Sequence, residues 1–188
     1  SLVETIYQDS RGYIWLGTGD GLNRYNGSEF VVYRNNKDDE NSISNNSISE
    51  VVEDIYGNLW IGTYNGLNRM DLNTGKITRY LNSDTAGSIS SNYIHRIVID
   101  SKERVWICTD KGLNMYDYEE DKFIRVLEGK LSNEQIQDVQ EDSKGRLWIA
   151  TKNGLNMYDE VTGEVTKFFY DSNDINSISD NFIWNIYY

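Results

Sequence analysis

Among 188 residues the chain carries a single histidine, His95, and a single cysteine, Cys108. His95 has no second imidazole with which to build a metal centre, and no serine-histidine-aspartate arrangement can be assigned around it. Cys108 stands where three other copies of a repeated unit carry Gly17, Gly62 and Ala150. It therefore reads as a small residue in a tight slot, not a nucleophile. The acidic runs Lys37-Asp-Asp-Glu40 and Asp171-Ser-Asn-Asp174 could suggest calcium. Both lack the glycine and terminal glutamate of a calcium-binding loop and read as solvated loops. No catalytic residue, metal ligand or cofactor is assigned. What remains is recognition chemistry: rings that stack on flat or sugar-like ligands, and amides and charges that hydrogen-bond them. The candidates are Asp20, Tyr64, Asn65, Asn92, Tyr93, His95, Arg96, Asp110, Lys111, Lys152, Asn153 and Trp184, with Glu50 and Asp138 as further channel positions.

These candidates are selected by a repeat. Tryptophan recurs in Trp15-Leu-Gly-Thr18, Trp60-Ile-Gly-Thr63, Trp106-Ile-Cys-Thr109 and Trp148-Ile-Ala-Thr151, at spacings of 45, 46 and 42 residues. An aspartate precedes each tryptophan by six residues (Asp9, Asp54, Asp100, Asp142), where a carboxylate can accept backbone N–H groups of a turn. Three of those turns supply Gly12, Gly57 or Gly145, and the third copy has Glu103 instead, so that turn is expected to be strained or differently shaped. A second hairpin then carries Gly-Leu-Asn in every copy, starting at Gly21, Gly66, Gly112 and Gly154. Four strand-like stretches per unit make a propeller blade, with the first strand innermost along the channel.

The fold class is therefore all-β: β-propeller blades, four four-stranded antiparallel repeats plus the inner strand of a fifth, as a partial propeller or half-ring. The chain reads as one segment, 1–188, with repeats at approximately 2–47, 48–93, 94–135 and 136–182, and with 183–188 starting a fifth. The ligand candidates lie in the hairpin tips and in the returns between blades, which vary while the scaffold persists. Segments 2–8 and 183–188 are equivalent, so the chain is expected to be part of a larger propeller, or a half-ring forming a homodimer with eight blades about a two-fold axis.

Composition narrows the partners. Thirty acidic against eighteen basic residues give a net charge of −12, which repels nucleic acid and anionic membrane. No apolar stretch approaches the roughly 20 residues of a membrane span, so no direct membrane insertion of this segment is expected, and no signal peptide is read at Ser1. The mixture of amides, acids, a few cations and exposed rings suits a polar small molecule such as an oligosaccharide, or a peptide.

The pattern Ile-x-x-Val-x-Glu-Asp-x-x-Gly-x-Leu-Trp-Ile-Gly-Thr-x-x-Gly-Leu-Asn-Arg at residues 48–69 resembles the two-component regulator propeller repeat. That resemblance covers nearly the whole chain in four copies. It implies a non-catalytic, ligand-sensing, extracytoplasmic segment, periplasmic or at the cell surface, of a membrane-anchored bacterial receptor such as a hybrid histidine kinase. Two other readings stand beside it. One is a structural or protein-interaction propeller assembling as a homo-oligomeric ring. The other is a propeller lyase or glycosidase, since the Asp-x-x-Gly-x-x-Trp turns resemble the Asp-boxes of sialidase propellers. In those enzymes the boxes are structural, and the expected arginine cluster and tyrosine nucleophile cannot be assigned here.

Overall fold

In the computed structural model, which describes residues 2–187, each repeat is one antiparallel sheet in sequential strand order. Blade 1 comprises β1 (Val3–Gln8), β2 (Ile14–Thr18), β3 (Gly21–Tyr25) and β4 (Phe30–Tyr33). Blade 2 comprises β5 (Ile48–Glu53), β6 (Asn58–Thr63), β7 (Gly66–Asp71) and β8 (Ile77–Tyr80). Blade 3 comprises β9 (Ile94–Ile99), β10 (Val105–Thr109), β11 (Gly112–Asp117) and β12 (Lys122–Val126). Blade 4 comprises β13 (Ile136–Glu141), β14 (Leu147–Thr151), β15 (Gly154–Asp159) and β16 (Glu164–Phe168). The first strands of successive blades are neighbours, β1 with β5, β5 with β9 and β9 with β13, so they form the inner lining. Ser1 and Tyr188, the ends of the expected segment, lie outside the described residues.

The core lies between blades because each sheet carries apolar side chains on both faces. Trp15 and Leu22 of blade 1 pack on Val51, Leu59, Ile61 and Met70 of blade 2. Trp60 and Leu67 repeat this on Ile97, Val105, Ile107 and Tyr116, and Trp106 and Leu113 on Val139, Leu147 and Ile149. The outer face of blade 1 has no such cover. Ile6 is 67% exposed, whereas its equivalents Val51 and Ile97 are 2% and 4% exposed. The four blades thus form an arc with an open face on the first blade.

The Asp turns do more than the sequence suggests. In all four copies one carboxylate oxygen accepts two backbone N–H groups, at 2.9–3.1 Å, and the other accepts the indole N–H of the tryptophan six residues on, at 2.8–2.9 Å. The carboxylate so satisfies three donors near the blade edge and fixes the ring that fills the next interface. Glu103 adopts φ of 62°, confirming the strained turn.

The returns contain a second repeated element. Ser42-Ile-Ser44, Ser88-Ile-Ser90 and Ser177-Ile-Ser179 recur, with Leu131-Ser132 in the third return. Ser44 donates its N–H to Asn68 Oδ1 at 2.8 Å and contacts Thr63 Oγ1 at 3.1 Å, and Ser90 and Ser132 repeat both bonds on blades 3 and 4. These links explain the persistent Thr and Asn as anchors for the incoming return. Residues 183–187 follow the expected inner path, with Ile183 N–H donating to Thr151 O at 3.2 Å, yet they form no strand. A strand exists only with a ladder partner, and residues 183–187 have none among the described residues.

Candidate functional site

Each inner strand begins with a β-bulge. Val3 and Thr5 pair with consecutive residues of β2, leaving Glu4 extra, and the same shift leaves Ser49 in β5, His95 in β9 and Gln137 in β13. A bulge re-aims the side chain of its extra residue and strengthens local twist. Here the four bulged residues, one per blade, line a single cleft at the end of the inner strands, joined by Tyr64, Arg96, Trp184 and Asn185. Trp184 occupies the equivalent position in the segment that follows blade 4 and is 71% exposed. The cleft encloses about 200 Å³. That is below the roughly 300–1,000 Å³ of a pocket for a drug-sized ligand, so it accommodates one ring-sized group of a larger molecule.

Aromatic rings form one side. Tyr64, from the β6–β7 hairpin, stacks on Tyr93 of the return with ring centroids 4.5 Å apart and planes 7° from parallel. Tyr93 in turn packs against His95 at 4.9 Å. Burial raises the Tyr93 hydroxyl pKa, and the neighbouring Tyr64 and Asp110 raise it further. His95 Nε2 lies 2.8 Å from Asp110 Oδ1 of the β10–β11 hairpin. Trp184 packs on Phe182 with centroids 4.5 Å apart.

Behind the bulges runs a polar row made by the next residue of each inner strand. Thr5 donates to Glu50 at 2.7 Å, Glu50 pairs with Arg96 at 2.9 Å, and Arg96 Nε lies 3.7 Å from Asp138. Asp138 also accepts the N–H of Ile186 at 2.9 Å. Burial pushes the Asp138 carboxyl above the ordinary range, an effect opposed by the Ile186 N–H and by Arg96. Arg96 is therefore a hub between two carboxylates.

Of the sequence candidates, Tyr64, Tyr93, His95, Arg96, Asp110 and Trp184 come together here. The other six do not join the cleft. Asp20 pairs with Arg34 at 2.9 Å, which lowers its pKa. Asn92 accepts the Gly66 N–H on its carbonyl and the Asn82 N–H on its side chain, so its acceptors serve the scaffold. Asn65, Lys111 and Asn153 give their backbone N–H groups to the threonine anchors, and Lys152 gives its own to Gln135 O. Lys111 also borders a separate hollow beside Arg125 and residues 82–88. Four cleft residues went unread in the sequence: Glu4, Ser49, Gln137 and Asn185. The signal for the first three was their alignment with His95 and Trp184, one residue before the inner-strand residue that pairs with the tight Gly/Cys/Ala slot of each blade. Cys108 is fully buried and burial raises its thiol pKa well above the ordinary value, as befits an inert residue.

Comparison with known proteins accords with this architecture. The family model described as the two component regulator propeller matches residues 1–20, 42–65, 88–111 and 130–153. A 44-residue stretch is 52% identical to histidine kinase P4 of Formosa agariphila, covering 23% of this chain and 3% of the kinase. Among solved structures, the extracellular domain of the hybrid two component system BT3049 from B. thetaiotaomicron is 27% identical with a TM-score of 0.81, over 89% of this chain and 24% of that one. The extracellular domain of BT4673 from the same organism is 26% identical with a TM-score of 0.81, over 98% of this chain and 24% of that one. The chain thus spans about a quarter of the length of these solved domains. A virginiamycin B lyase from Staphylococcus aureus, 16% identical with a TM-score of 0.65 over 90% of this chain and 56% of that one, shares the fold alone. By its four matched repeats and the blades they form, the chain belongs to the two component regulator propeller family.

Proposed function

We propose that these blades are a non-catalytic, ligand-sensing part of the extracytoplasmic region of a membrane-anchored bacterial receptor. The ligand is a polar small molecule such as an oligosaccharide, or a peptide, held at the bulge-lined cleft. One observation carries this reading: the single extra residue of every inner strand is turned into the same cleft, and it differs in each blade. A scaffold that repeats everywhere else and varies there has a place for specific recognition. Location outside the cytoplasm is supported by the two extracellular domains with the same blades.

Thermal-shift screening of neutral oligosaccharides and short peptides tests the proposal, since a molecule that binds only the folded chain raises the midpoint. A hit that disappears in Tyr64→Ala is expected. Hits indifferent to Tyr64→Ala and Trp184→Ala would place the ligand elsewhere. The His95–Asp110 pair in the cleft favours one second reading, a propeller lyase or glycosidase with His95 as general base. Turnover of a screened ligand, abolished by His95→Ala, would establish that reading in place of sensing. The exposed Val3, Ile6 and Phe30 on blade 1 suit a further role in assembly, with a second copy completing eight blades. Sedimentation giving only monomer at micromolar concentration would dismiss that homodimer.

A further inference from the structure

The charge state of the cleft, taken with its unpaired polar groups, limits what a ligand can be. This inference rests on the sensing reading and specifies its ligand. The two groups able to carry positive charge are already matched: Arg96 stands between Glu50 and Asp138, and His95 is held by Asp110. Neither is free to receive a carboxylate or sulfate without leaving an acid unpaired behind it. Glu4, which also lines the cleft, is exposed and forms no ion pair or hydrogen bond among the described residues. An anionic group entering here meets like charge at short range and finds no uncommitted cation.

The neutral polar groups point the other way. Gln137 is 8% exposed and lines the cleft, yet its amide forms no hydrogen bond among the described residues. Ser49 also lines the cleft, but its Oγ is buried against Gly62 and is not presented to a ligand. A ligand hydroxyl, which both donates and accepts, can bond either end of the Gln137 amide. Tyr64 and Trp184 add exposed ring faces, on which the apolar face of a sugar ring packs.

We infer that the cleft binds one unit of an uncharged or amine-bearing saccharide and rejects acidic saccharides. Hydroxyls engage the Gln137 amide, the ring lies against Tyr64 or Trp184, and an amine, where present, pairs with Glu4. Calorimetric titration of the full chain with cello-oligosaccharides, glucosamine oligomers and oligogalacturonates tests this directly. The expected order is glucosamine oligomer tightest, neutral oligomer next and galacturonate weakest by tenfold or more, with Gln137→Ala weakening all binding. Glu4→Gln should remove the advantage of the amine, so that glucosamine and neutral oligomers bind alike. Galacturonate binding as tight as the neutral oligomer would overturn the inference while leaving the sensing proposal standing. Binding of peptides with no saccharide would do the same. If saccharides and peptides both fail to bind, the inference and the sensing proposal fall together.

Discussion

The two ends of each blade obey different rules. At one end, the hairpin joining the first two strands, four aspartates make the same three bonds in every copy, with distances that agree within a few tenths of an ångström. At the other end the bulge repeats but its side chain is Glu4, Ser49, His95 or Gln137. Constant geometry with constant chemistry builds the interface between blades. Constant geometry with changing chemistry leaves a position where binding can be altered without cost to the fold. The difference teaches where to cut: substitutions at the turn end should act on stability, and those at the bulge end on recognition.

The largest effect is expected at Trp60, which is fully buried between blades 2 and 3 and bonded to Asp54. Trp60→Ala should lower the unfolding free energy by about 3–5 kcal/mol, read by urea denaturation. Asp54→Ala should follow at about 2–3 kcal/mol, because it strands the N–H groups of Tyr56 and Asn58, the Trp60 indole and the Tyr118 hydroxyl. Gln137→Ala, at the opposite end, should stay within about 0.5 kcal/mol of the parent. Comparable losses at Gln137 and Asp54 would show that the bulge end is scaffold too.

Acid titration separates the ends by sign. Burial opposes ionisation of Asp142, but bonds from Arg146, Trp148 and the Arg146 and Lys144 N–H groups outweigh it and hold the folded pKa well below 3.8. The unfolded chain therefore takes up the proton first, and Asp142 contributes stability that is present above about pH 3.8 and is lost as pH falls toward the folded value. Asp138 behaves in reverse. Its folded pKa is raised, so the native state binds the proton first, and its contribution is present at low pH and lost as pH rises through the folded value. Relative to the parent, Asp142→Asn should gain on acidification and Asp138→Asn should lose. Denaturation midpoints measured from pH 3 to 7 check both, and parallel curves for the two variants would remove the electrostatic distinction between the ends.

Much of this was legible before any coordinates. The tryptophan period, the Gly-Leu-Asn hairpin and the Asp turn are local patterns, and each predicted its element because turn chemistry is decided by a few adjacent residues. The bond from Asp to the indole ring was not read, since six residues of separation say nothing of which way a side chain folds back. The Ser-Ile-Ser anchor was taken as variable loop because the returns differ in length around it. The cleft was half read: Tyr64, Tyr93, His95, Arg96, Asp110 and Trp184 converge, while Glu4, Ser49 and Gln137 look like ordinary strand residues until a bulge turns them. A bulge leaves no composition mark, and only the ladder register reveals it.

The smallest expected effect tests whether the turn end is as uniform as its bonds imply. Glu103 holds φ of 62° where the other copies use Gly12, Gly57 and Gly145 at 85°, 77° and 75°. A side chain in this region crowds the backbone at a cost of about 1 kcal/mol, and Glu103 is exposed, its side chain making no hydrogen bond or ion pair among the described residues to offset it. Glu103→Gly should therefore stabilise the chain by about 0.5–1 kcal/mol, net of the greater freedom glycine has when unfolded, and raise Tm by about 2–4 °C. Gly57→Glu, the reverse change in blade 2, should destabilise by a similar amount. If Glu103→Gly is instead destabilising, the third turn is held by something other than backbone preference. The natural candidate is Arg104, which bonds Asp100 at 2.6 Å and reaches Glu160 on blade 4, a clamp made by neither Tyr13 nor Asn58 at the same place in blades 1 and 2.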